Sequence, residues 1–221
     1  MTPIGATSGR LLPVTGAITS VVWAGTQIVA DLLFVGDPDP VEDPVGTQQA
    51  LLDHQVAAMV TVLGSMYLAV LIVYFAAASK PALGSSAHSM VAVGGAVLLA
   101  VAIVAAGIED FAIISAAHHA DTAAIKTLGY AQSVGWPLLG AASGAFLLGT
   151  GLAARRERSM PRWLSAVTIV LGVLALLGPG AFVFWLVAPL WFGVVGITLD
   201  HRGEVVAHRP TGTVPASQRA R

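Results

Sequence analysis

The residues able to carry acid–base or metal chemistry lie in a few short stretches between apolar ones: Asp31, the pair Asp53 and His54, the pair Glu109 and Asp110, and His118 and His119 followed by Asp121. A carboxylate within reach of an imidazole is the pairing that general acid–base catalysis uses. The same residue types bind zinc when they converge at about 2.0–2.2 Å from one ion, and ionisable groups within a membrane line proton or cation pathways. Plain solvation of a polar rim would account for the same residues without any site. Asp31 differs from the others in lying about a turn inside an apolar stretch, where an acid is costly and therefore a candidate for function.

Other chemistries are excluded by what the sequence lacks. The chain contains no cysteine, which removes thiol catalysis, disulfides, Cys-ligated zinc and iron–sulfur clusters. It has no nucleotide-binding glycine loop, nucleophile elbow, HExxH helix or EF-hand loop. No cofactor and no nucleic-acid partner are expected.

The elements that must position these groups are apolar helices. The 221 residues are 56% hydrophobic and only 10% charged, against about 25% charged in soluble domains, and the mean hydropathy is +0.79. A membrane span needs about 20 mostly apolar residues. The sequence predicts spans at Leu11–Val35, with Thr7 and Ser8 as caps, at Gln55–Ala78, at Met90–Ile108 for the apolar core of the third, and at Val134–Ala154 for that of the fourth. The fourth helix is expected to begin near Asp121 or Thr122, which leaves a helical excursion between Ile108 and Val134. No charge occurs from Trp163 to Thr198, and the break at Gly178, Pro179 and Gly180 divides this run into two spans joined by a tight turn. The fifth span, Trp163–Leu177, is short, with a rise of about 23 Å. The expected fold is all-α: residues 1–10 as a cytoplasmic N-terminus, 11–200 as a six-span bundle, and 201–221 as a disordered basic tail.

Charge sets the predicted orientation, because cytoplasmic loops are enriched in Lys and Arg. With six spans and both termini inside, ten of the eleven basic residues face the cytoplasm and only Lys126 is outside. Nine of the twelve acidic residues then fall at or near the outer ends. A single span over 163–198 would move four C-terminal arginines to the outer face and abolish the bias. The N-terminal run is too long for a signal peptide cut after Ala30, so it reads as an uncleaved first span.

Within the spans, Gly140 and Gly144 form a GxxxG pair suited to close helix packing in one bundle or between two copies. Trp136 and Trp163 fall at boundaries, where indoles anchor. Trp23 and Trp191 fall near mid-span as core residues or as walls of an apolar cavity. Pro189, inside the sixth span, must free a carbonyl near Trp185.

The order of features also has a likeness. A first span is followed by an acidic, proline-containing loop and a short helix ending Ala50-Leu51-Leu52-Asp53-His54. An arginine-bearing loop, Arg155 to Arg158, is later followed by Met160-Pro161-Arg162-Trp163-Leu164. From Leu11 to Asp200 this resembles the six-helix integral membrane proteins of actinobacteria that have no assigned reaction. The resemblance implies a fold and a location in the plasma membrane, and it transfers no site. The expected role is a non-enzymatic structural, accessory or small-ligand-binding protein in the lipid bilayer, with Gly140 and Gly144 packing within one bundle and self-association through them as the alternative. The alternatives are a membrane-embedded enzyme acting on an apolar substrate through outer acids and histidines, and a small transporter, which the lack of a mid-depth charge or an inverted repeat disfavours.

Overall fold

The computed structural model describes residues 11–33 and 38–207, which form seven helices and the turns between them with no strand. These are α1 (Leu11–Leu33), α2 (Pro44–Asp53), α3 (Gln55–Leu83), α4 (Ala87–His118), α5 (Thr122–Glu157), α6 (Arg162–Leu176) and α7 (Pro179–Ala207). α1, α3, α4, α5 and α7 are long and apolar enough to cross a membrane. The caps and the tail beyond Ala207 foreseen from the sequence lie outside the described residues. α7 itself continues to Ala207, so residues 201–207 are helix where the sequence predicted tail.

Local chemistry sets the helix ends. The carboxylates of Asp43 and Asp121 accept from the backbone N–H of Gly46 and Ala124, both at 2.9 Å, at the starts of α2 and α5, and the Ser86 hydroxyl accepts from Ser89 N–H at the start of α4. Such caps satisfy donors that a helix leaves unpaired in its first turn. Asp121 is thereby a capping residue. α3 runs through Lys80 and Pro81 to Leu83 rather than stopping at them. The excursion between Ile108 and Val134 is formed by α4 and α5 continuing past their apolar cores to a short turn at 119–121. α2 lies on that end of the bundle, held by a small core of Leu51, Ala58, Val62, Ile113, Ile114, Ala117 and Ile125 and by the Gln48 amide, which donates to Ala117 O at 3.1 Å.

Lipid is as apolar as leucine, so helices in it associate through close packing rather than through the hydrophobic effect. Small residues provide that closeness here. A Cβ added at Gly95 would lie 2.3 Å from Phe146 N, and one at Gly149 would lie 2.3 Å from Ala92 N, so α4 and α5 touch by backbone. Gly16 and Gly196 play the same part between α1 and α7. Gly140 and Gly144 face α6, where added Cβ atoms would lie 2.7 Å from Ala175 O and 2.5 Å from Leu176 Cγ. The GxxxG face is therefore covered within the chain.

The centre of the bundle is aromatic. Trp23, Phe75, Phe146, Phe184, Trp191 and Phe192 are buried in a chain of edge-on and tilted ring contacts, with centroids 4.9–6.2 Å apart. Each such pair contributes about 0.5–1.5 kcal/mol beyond its packing area. Trp191 Nε1 donates to Thr168 Oγ1 at 3.1 Å, whereas Trp23 Nε1 has no hydrogen-bond partner among the described residues. Trp23 and Trp191 are thus core residues rather than cavity walls.

The sequence break at Gly178 is the α6–α7 turn. Gly178 adopts φ +91°, a left-handed conformation that side chains disfavour, and Pro179 opens α7 where its missing N–H costs nothing. A Cβ on Gly180 would fall 2.0 Å from the Leu174 carbonyl carbon. α6, at 15 residues, rises only about 23 Å, while α5, at 36 residues, rises about 54 Å. The turn consequently reaches α5 only at Gly140, which faces both Ala175 and Ala181.

Candidate ligand cavity

From Gly140 toward the α2 end, α5 continues back to Thr122 beyond the reach of α6. Where the α6–α7 hairpin stops short, a cavity of about 450 Å³ opens between α1, α3, α4, α5 and the first turns of α7. That is within the usual range for small-molecule sites, about 300–1,000 Å³. Alanines 102, 105 and 106 of α4 and Leu138 and Leu139 of α5 form apolar wall, while Trp185 and Phe182 of α7 contribute rings. Trp136, Leu138, Phe182 and Leu186 line the cavity and are also 44–55% exposed on the bundle's flank. The mouth therefore opens sideways between α5 and α7 through apolar groups.

The polar groups gather on α1, α3, α4 and α5. Glu109 and Asp110, at the end of the apolar core of α4, both line the cavity. Asp110 Oδ1 accepts from the Gln132 amide of α5, a bond that ties the two helices together eight residues, or about 12 Å of rise, from Gly140. On α1, Gln27 donates to the carbonyl oxygen of Trp185. That carbonyl is the acceptor which Pro189, four residues on and without an N–H, cannot satisfy, so the α7 irregularity foreseen from Pro189 is closed by a side chain from another helix. Thr26, Thr61 and Ser65 complete the polar wall.

The structure divides the residues singled out by sequence. Glu109 and Asp110 meet at the cavity. Asp53 and His54 are exposed at the α2–α3 junction, where His54 N–H closes α2 on Ala50 O. His118 and His119 are exposed, and each ring Nδ1 donates to the carbonyl four residues back, Ile114 O and Ser115 O, at 2.8 Å. The side chain of Asp31 lies outside the described residues. Among the described residues, no group of three His, Asp or Glu is placed to hold a metal ion. Trp136, expected as a boundary anchor, stands at the cavity mouth with an edge contact to Phe182. Gln27, Gln132, Thr26, Thr61 and Ser65 went unnoticed in the sequence. The available signal was an amide or hydroxyl inside an apolar run, which lipid tolerates poorly unless it is paired.

Searches against family models, curated proteins and solved structures find no match to the chain.

Proposed function

We propose that the chain is a six-span plasma-membrane protein, both termini in the cytoplasm, that binds a small ligand in the cavity above the α6–α7 turn. The observation that carries this reading is the cavity itself: an apolar-walled space with a few convergent polar groups, the usual form of a ligand site, open on the flank that lipid would cover. The topology is supported by the basic residues. Arg155, Arg156, Arg158 and Arg162 cluster at one end of α5 and α6, while Asp39, Glu42, Asp43 and Asp53 gather around α2 at the other. α6 serves as the fifth span, a short one whose uncharged turn leaves Leu176 and Leu177 exposed on the surface of the bundle. The resemblance to actinobacterial six-helix proteins supports the same membrane location. An enzymatic role through a carboxylate and an imidazole has less support, because the rings of His118 and His119 bond to the carbonyls of Ile114 and Ser115 and His54 is exposed at the α2–α3 junction.

Native mass spectrometry of the protein released from nanodiscs tests the binding role. The wild type is expected to carry a bound small molecule or lipid that Ala106→Trp, which fills the cavity, does not. Equal loads on both proteins would refute a ligand role for this space. Single cysteines at positions 39 and 122 should react with an impermeant thiol reagent on intact cells, and at 159 and 217 should not; labelling at 159 would overturn the topology.

A further inference from the structure

We infer that the cavity takes a protonated amine carried on an apolar body. This rests on the ligand-binding reading above and names the class of ligand. The hydroxyl protons of the wall are already committed: Thr26 donates to Val22 O (2.8 Å), Thr61 to Ala57 O (3.1 Å) and Ser65 to Thr61 O (3.0 Å). Each hydroxyl therefore offers the cavity lone pairs only. Asp110 accepts from Gln132, and Glu109 has no hydrogen bond or ion pair among the described residues. Among the described residues, no Lys, Arg or His lines the space. Apart from the spare amide N–H groups of Gln27 and Gln132 and the indole N–H groups of Trp136 and Trp185, the polar groups of the wall are acceptors, and the only charged ones among the described residues are the two carboxylates.

An occupant that satisfies such a wall must bring donors and positive charge. An ammonium supplies up to three N–H donors, and its hydrogen bonds to ionised carboxylates are about twice as strong as neutral ones. An alcohol supplies one donor and no charge, and a carboxylate ligand would be repelled. The first turn of α7 contributes only about half a positive elementary charge, which does not reverse the sign of the site. Because the two carboxylates are neighbours on α4 while Leu139 is apolar wall and Trp136 and Phe182 flank the mouth, one cationic head with an alkyl or aryl body fits and a polyamine charged along its length does not. The apolar mouth lets that body enter from the bilayer, and the rings of Trp136 and Phe182 offer π faces to a passing cation.

The test uses wild-type protein in nanodiscs of zwitterionic, net-neutral phosphatidylcholine and three brominated probes of equal chain length: decylamine, decanol and decanoate. Trp136 and Trp185 at the cavity report binding by bromine quenching, and partition into lipid gives a non-saturating background that Ala106→Trp isolates. The amine is expected to quench saturably and about tenfold or more tighter than the alcohol, as a charge-assisted hydrogen bond implies, and the carboxylate is expected not to saturate. Glu109→Gln should weaken the amine about tenfold and leave the alcohol unchanged. If alcohol and amine saturate alike in the wild type, the cavity binds ligands but the amine assignment is wrong. If no probe saturates, the binding reading itself falls and the amine with it.

Discussion

The half of the bundle around Trp191 and the half around Asp110 are built from the same long helices, yet they fill their centres in opposite ways. Around Trp191 the helices meet through glycine backbones and interlocked rings, and the indole N–H of Trp191 finds Thr168. Around Asp110 the same helices stand apart, the wall carries unfilled acceptors, and space remains. The difference follows from length rather than from composition. α6 has 15 residues and α5 has 36, so α6 stops short of the other half, where only the first turns of α7 line the space. A short helix is thus the device that makes the cavity, and a tightly packed base is what keeps it from collapsing.

The largest effect should come from breaking the packed half. Gly94 and Gly95 are adjacent on α4, but a side chain at Gly94 meets nothing within 4 Å, while one at Gly95 would run into the Phe146 backbone. Gly95→Leu should therefore abolish the folded protein, a loss beyond about 4 kcal/mol, and Gly94→Leu should leave the melting temperature nearly unchanged. Comparable melting of the two variants would mean that α4 and α5 are not in backbone contact.

A smaller contrast separates the two central tryptophans. Trp191→Phe removes the bond to Thr168, and Trp23→Phe removes none. The first should cost about 1–2 kcal/mol more than the second, measured by reversible unfolding in mixed micelles.

Much of this contrast was legible in the sequence and some of it was not. The turn at Gly178–Gly180, the long fourth helix beginning at Asp121 and the carbonyl freed by Pro189 follow from rules of the local chain, because glycine, proline and capping residues act over a few positions. The partners did not follow. Nothing local says that Gln27 closes the gap at Trp185, or that Gln132 rather than a histidine meets Asp110, because those pairings depend on how the helices are staggered. His118 and His119 looked like ligands for the same reason, since their bonds to Ile114 O and Ser115 O are a matter of rotamer. The shortness of α6 was visible, but its consequence required knowing that the turn lands at Gly140.

A further effect of similar size lies at the seam between the two halves. Gln27→Leu leaves the Trp185 carbonyl without a donor and should cost about 1–3 kcal/mol. In a Pro189→Ala background, where a backbone N–H is again available to that carbonyl, the cost should fall below about 0.5 kcal/mol. A double-mutant cycle measures this coupling directly, and additive costs would show that the two residues do not share the carbonyl.

The most direct test of the cavity uses the absence of native cysteine. Gly135 lines the space, and a Cβ there meets nothing within 4 Å, while Ala142, two turns along α5, is buried in the packed half. The alkylation rates of Gly135→Cys and Ala142→Cys by a small membrane-permeant reagent should differ by at least about tenfold in the folded protein, because a thiol reacts only where a reagent has access. Adding Ala106→Trp should slow the reaction at position 135 to the rate at position 142. Equal rates at the two positions, or no slowing by Ala106→Trp, would contradict an open cavity above the α6–α7 turn.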